Sequence, residues 1–166
     1  ATFHMLDTRQ CRTDQPCDDK FRADCAGRFD PSATLTGADQ EQWLLNGFRE
    51  SRTQWDLLGQ QVFFAGVELV EGPATGINPD AWDGYVANRD RIVAGLVDSP
   101  VRNAVVLTGD VHSHWAAEIS RRPGGPSIAT ELVTTSISSG GDGSDGRPDT
   151  DAILPENPHV KYFSNR

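Results

Sequence analysis

The stretch VVLTGDVHSHW, Val105 to Trp115, constrains the fold more than any other part of the chain. Its apolar, β-branched run over 104–107 reads as a buried strand. The run stops abruptly at Thr108-Gly109-Asp110, and two histidines follow at alternate positions, His112 and His114. A strand that ends in a glycine, then a carboxylate and an imidazole, is how α/β proteins present ligands at the carboxyl edge of a sheet.

The elements around it support an α/β class. Residues 2–6 read as a short strand leading into Asp7-Thr8-Arg9. Residues 11–36 are polar with no clear period. Thr36 followed by Asp39 resembles a capping box, and 39–52 is expected to be helical, with Trp43, Leu44, Gly47, Phe48 and Trp55 on one face. Val62-Phe63-Phe64-Ala65 reads as a central strand, and a Gly/Pro-rich connection follows. A second helix is expected from residue 79 or 80 to 97, with Trp82, Tyr85, Val86, Val93, Leu96 and Val97 near one stripe and Asp83, Arg89, Asp90 and Arg91 off it. Strands are expected at 115–120 and 128–135, and loop from Ser136 onward. Strands at 62–65 and 104–107 joined by a helix form a βαβ unit, and the whole implies a layered domain on a mixed sheet. Asp7, Arg9, Gly66 and Asp110 would then lie just past strand ends.

Composition narrows the partners. The chain has 166 residues and a net charge of −9, which disfavours bulk nucleic acid and anionic membranes. An anionic substrate remains compatible, because a metal site reverses the local sign. No apolar run approaches the length of a membrane span. Cys11, Cys17 and Cys25 contain no CxxC pair, so a zinc knuckle is not indicated. Two readings stand for them: a Cys17–Cys25 disulfide across a short polar loop, or three reduced thiols.

Asp110 and His112 are the leading chemical candidates. Carboxylate suits hard cations and imidazole suits iron, zinc or manganese, so the pair suits a shared or two-metal centre. If the segment stays extended, Asp110, His112 and His114 face one way. The alternative is a capping Asp and two half-exposed histidines. Arg9 could hold an anionic group or pair structurally with Asp7 or Asp14. In the Ser/Gly/Asp stretch beginning at Ser136, backbone N–H groups could cradle an anion, Asp142, Asp145, Asp149 and Asp151 could bind calcium, or the segment could be a plain acidic loop. No GxSxG nucleophile elbow and no glycine-rich phosphate loop is present.

LDTRQ, TDQPC, QWL within a helix, DAWDGY, VVLTGDVHSHWAAEI, ELVTTSISSGGDG and NPHVKYF occur in that order. The ordered set resembles the PhoD-type alkaline phosphatases/phosphodiesterases of the metallophosphoesterase superfamily, over nearly the whole chain. The resemblance implies a secreted, often Tat-exported enzyme, periplasmic or cell-wall associated, that hydrolyses phosphate mono- and diesters. It implies an αββα sandwich of two mixed sheets between helical layers. It also implies a centre holding iron and calcium, with other divalent metals possible.

By the same resemblance Asp110 and His112, the G-D-x-H element, are metal ligands, and His114 receives no role. Ser138, Gly140, Gly141 and Asp142 would lie in a substrate-proximal loop, and Arg9 near the substrate phosphate. The export it implies favours the Cys17–Cys25 disulfide. Two departures stand out. Cys11 follows Arg9-Gln10 where the family usually has tyrosine, and the earlier G-D-x-x-Y and Asn-containing elements do not occur. Residues 1–166 therefore read as the C-terminal portion of one catalytic domain, without an internal boundary. That portion would be inactive alone, its partner being the N-terminal part of the same enzyme. The alternative is a non-catalytic calcium-binding or structural module that complements another chain.

Overall fold

Strict alternation orients the first strand: in β1 (Thr2–Met5) His4 is buried, while Phe3 and Met5 lie on the opposite side. The computed structural model describes residues 1–20, 22–138 and 148–165. After β1 come β2 (Arg22–Ala23), α1 (Gly37–Arg49), β3 (Asp56–Gly59), β4 (Gly76–Ile77), α2 (Val86–Val97), β5 (Ala104–Thr108), β6 (His114–Ser120), β7 (Ser127–Val133), α3 (Pro148–Ile153) and β8 (Val160–Ser164). Six of the strands make one mixed sheet in the order β1-β3-β5-β7-β6-β8. β1, β3, β5 and β7 are parallel, and β6 runs antiparallel between β7 and β8. α1 and α2 lie in the β1–β3 and β3–β5 crossovers, which parallel neighbours require. The mixed α/β class expected from the sequence is the one observed.

Several boundaries differ from the sequence reading, each for a physical reason. The strand of the main sheet between the two helices is β3, not 62–65. Residues 62–65 are buried, but the amides of Phe64 and Ala65 donate to the side chain of Glu131 rather than to a neighbouring strand. A short apolar run records burial, and burial does not require a ladder. α1 ends at Arg49; it buries Leu44 and Phe48, whereas Trp43 and Trp55 are each 49% exposed. No Thr36 capping box forms. The Thr34 hydroxyl instead accepts the amides of Thr36 and Gly37. α2 begins only at Val86, after a 3₁₀ turn over Trp82–Gly84. Val97 is exposed, and Asp83, expected off the apolar stripe, is buried against Arg89 at 2.8 Å.

The C-terminal stretch is not simply loop, since α3 and β8 fall within it. The polar stretch 11–36 is organised by two 3₁₀ turns, by a Cys17–Cys25 disulfide and by β2, which pairs with β4.

Both helices contribute to one core. Leu44 and Phe48 of α1 and Ile92, Val93 and Leu96 of α2 cluster with Leu58, Val106, Ala117 and Ala129 of the sheet. The other face of the sheet is apolar and open. Met5, Gly59, Leu107, Leu132, Ala116 and Tyr162 are successive cross-strand partners. Met5, Leu107, Leu132 and Tyr162 in that row are exposed, as is Phe3 beside it.

At the start of β3, by contrast, polar groups are fully enclosed. Asp56 accepts a hydrogen bond from the Ser51 hydroxyl at 2.6 Å and pairs with His4 Nε2 at 3.0 Å, all three residues being buried. Gly47 makes room for the His4 ring, because a Cβ there would lie 2.9 Å from Cε1.

Candidate active site

The parallel strands β1, β3, β5 and β7 finish at one edge of the sheet, and the antiparallel β6 starts there. Whatever follows β1 and β5 is therefore brought together. After β1, the Asp7 carboxylate accepts the amides of Arg9 and Gln10 at 2.8 and 2.9 Å. Those two bonds, Gln10 first, hold the Asp7 carboxyl below its usual range. Past β3 come Gln60 and Gln61. Gln61 locks the β1 loop by accepting the amide and hydroxyl of Thr8 and donating to the Leu6 carbonyl. Gly66 is not a strand-end residue. It lies beside Asp83 and Arg89, where a Cβ would meet Asp83 Oδ1 at 2.9 Å.

After β5 the backbone turns sharply. Asp110 has φ of 72° and His112 φ of 54°. Both are left-handed, a region that non-glycine residues enter at a cost of roughly 1–2 kcal/mol each. The extended geometry that would align Asp110, His112 and His114 is therefore absent. His114 instead opens β6, opposite Ser164 of β8. Trp115 packs between Phe63 and Phe163, its indole N–H on the Ser113 hydroxyl at 2.8 Å.

Arg9 reaches this turn from the other loop. Its Nη2 is 3.8 Å from Asp110 Oδ1, while Nη1 donates to both oxygens of Asp80 at 2.8 and 2.9 Å. Neither Asp7 nor Asp14 is its ion-pair partner. Asp80 also accepts from Arg12 and Gln15. Partial burial pushes the Asp80 carboxyl up, but Arg12 and Arg9 outweigh that and hold it below its usual range. Asp80 and Arg12 were missed in the sequence because nothing in their spacing joins residue 9 to residue 80. Asp110 also stands on the rim of a cavity of about 460 Å³ walled by Phe63, Ala65, Val67, Val111, Trp115 and Ile153.

The remaining candidates are less informative. Ser138 is exposed, and Gly140, Gly141 and Asp142 lie outside the described residues, as does Asp145. Asp151 is exposed. Among the described residues no group of three or more His, Cys, Asp or Glu side chains converges as a metal site. Asp110 and His112 offer a hard oxygen and an imidazole nitrogen, a donor pair suited to iron and, through the carboxylate, to calcium. They would supply two ligands, and a complete shell needs others.

Beneath the turn lies the residue that sequence reading missed altogether. Glu131 of β7 is completely buried. Loss of water pushes its carboxyl up to about 7, against the hydrogen bonds from Thr108, Ala65 and Phe64 that favour the anion. Between about pH 4.5 and 7 the native state holds a proton that the unfolded chain has released. Stability from this group is therefore full below about 4.5 and is lost as pH rises through 7, by roughly 3 kcal/mol in all. Thermal denaturation of the full-length protein is expected to show a midpoint that falls across this window. Glu131→Gln should flatten that fall. An unchanged pH slope in the variant would assign the fall to other groups.

These features sit within a known family. The chain belongs to the PhoD-like phosphatases, whose family model matches residues 1–166. It is 41% identical over 168 residues to alkaline phosphatase D of Bacillus subtilis (strain 168), an alignment covering 99% of this chain and 29% of that relative. A solved structure of PhoD superposes with a TM-score of 0.93 at 41% identity, covering 98% of this chain and 32% of its own. The chain thus spans about a third or less of the relatives it matches.

Proposed function

We propose that the protein containing this chain hydrolyses phosphate mono- and diesters at a metal centre to which Asp110 and His112 contribute ligands. The observation that carries this reading is the pair of left-handed residues, Asp110 and His112, at the carboxyl edge of the sheet with Arg9 alongside. The turn puts a carboxylate and an imidazole two residues apart just past the strand end, a donor pair suited to a metal. Iron and calcium are the metals we assign, and bound there they would polarise the phosphoryl oxygens and activate a water.

The chain's own groups do the positioning. Asp80 holds the Arg9 guanidinium beside the turn, where it can take a phosphate oxygen. Asp110 and His112 sit in the exposed turn just past the strand end. The cavity next to Asp110, apolar over most of its wall but with Asn78, Asp83, Ser113 and Thr150 also in its lining, would receive the alcohol portion of the ester.

The chain is, on this reading, one portion of a single catalytic domain. The open apolar row on the sheet would be covered by the rest of the same protein, completing the sandwich. The further metal ligands would come from that covering portion, so this portion by itself would not turn over substrate. Export to the periplasm, the cell wall or the medium is part of the proposal; among the described residues no helix is long and apolar enough to cross a membrane.

The test uses the full-length protein with p-nitrophenyl phosphate and bis(p-nitrophenyl) phosphate. Turnover of both is expected, lost on EDTA treatment and restored by iron with calcium. Absence of turnover in the metal-loaded protein would overturn the reading. Calcium bound without iron or turnover would favour a non-catalytic module.

A further inference from the structure

Residues 62–65 belong to no strand, and two of them, Phe63 and Ala65, wall the cavity beside Asp110. The amides of Val62, Phe64 and Ala65 are held by side chains instead. Glu131 Oε1 accepts the Phe64 amide at 2.8 Å and Oε2 accepts the Ala65 amide at 2.6 Å. The Val62 amide donates to Gln60 Oε1 at 3.0 Å, and Trp82 Nε1 donates to the same oxygen at 3.0 Å.

The same carboxylate reaches the other side of the site. Thr108, the last residue of β5, donates its hydroxyl to Glu131 Oε1 at 2.5 Å and accepts from Gln60 Nε2 at 2.5 Å. Gly109 and Asp110 follow directly. Glu131, Thr108 and Gln60 are all buried, so the chain of bonds Trp82–Gln60–Thr108–Glu131–Phe64/Ala65 is shielded from water. Shielding strengthens such bonds and makes each unmet group costly.

An ionisable group is an expensive way to fill the centre of a sheet, and an aliphatic side chain would pack there without that cost. What an aliphatic residue cannot do is tie two unpaired amides to a third element. Glu131 does this, and the third element is the strand end that launches the Asp110 turn.

We propose that Glu131 is a positioning residue for the active site: it fixes the start of the Gly109–Asp110 turn relative to the Phe64–Ala65 backbone, from which Ala65 lines the adjoining cavity. It acts through Thr108 and touches neither metal nor substrate. The inference rests on the reading of Asp110 as a metal ligand. Groups that orient metal ligands from behind typically contribute about 10–100-fold in affinity or activity.

The experiment compares Glu131→Gln, Thr108→Val and Asp56→Ala in the full-length, metal-loaded protein. Asp56→Ala is the structural control, because its buried pair with His4 sits at the far end of β3. Three quantities are read: the thermal midpoint, the EDTA concentration that strips half of the bound iron and calcium, and kcat and KM separately. Glutamine at 131 presents an NH₂ group to one of the amide donors, so the tie is broken with little change in volume. E131Q is expected to lower kcat and the EDTA threshold by about tenfold or more. T108V should move both in the same direction by less, and D56A should lower only the thermal midpoint.

E131Q and T108V that lose thermal stability yet keep wild-type kcat and EDTA threshold would overturn the proposal and make Glu131 purely structural. If E131Q does not fold, T108V decides alone. A wild-type protein without phosphoesterase turnover would overturn the function proposed above and leave this inference to the EDTA threshold.

Discussion

Asp110→Ala in the full-length protein is expected to cut kcat/KM for phosphate esters by about a thousandfold and to release bound metal. Polarisation of a phosphoryl oxygen by a metal contributes several kcal/mol, and about 4 kcal/mol corresponds to three decades in rate. The loss should appear without unfolding, because the Asp110 side chain is 46% exposed and no described core contact depends on it. Asp110→Gly sharpens the comparison. Glycine accepts a φ of 72° without steric cost, so this variant should be as inactive as the alanine one and at least as stable as the wild type. Metal analysis by mass spectrometry, steady-state kinetics and a thermal melt on the three proteins are sufficient. Retention of metal and turnover in both variants would remove Asp110 from the centre.

Asp56→Ala has the opposite signature. Asp56 is 2% exposed and satisfies both His4 and Ser51. Deleting one member of a buried pair typically costs about 3–5 kcal/mol, chiefly because the other is left enclosed and unmet. The thermal midpoint is expected to fall substantially, while kcat at a temperature where the protein stays folded remains at the wild-type value. Asp56→Asn keeps an acceptor for Ser51 and should recover part of the loss. A melt unchanged by D56A would mean that water reaches His4 readily.

The strand pattern of the chain was most legible where side-chain chemistry and backbone pairing agree. VVLT forms a central strand that Gly109-Asp110 ends, as its sequence indicates, although it is buried on one face only, Leu107 lying exposed on the other. Phe63 and Phe64 misled because burial alone marked them; the group that satisfies Phe64, Glu131, lies 67 residues further on. Glu131 itself sits in the alternating stretch of β7, where a single acidic residue reads as a solvent-facing position. Its inward orientation follows only from the register with β5 and β6. Arg9 and Asp110 could be placed near one another by the strand-end argument, but Asp80, the residue that holds Arg9, follows no strand of the six-stranded sheet. The left-handed geometry at His112 was similarly hidden, since the alternation of Asp110, His112 and His114 suits an extended chain equally well.

The open apolar face bears on the order of events in making such an enzyme. A sheet showing Met5, Leu107, Leu132 and Tyr162 to water invites any other unpaired apolar surface, including a second copy of itself. In the arrangement proposed here, the layer that hides this face also carries the outstanding ligands. Maturation of the metal centre and protection from aggregation would then be a single event. A nascent or truncated product would be a client for chaperones and proteases, with no stable apoenzyme half accumulating beforehand.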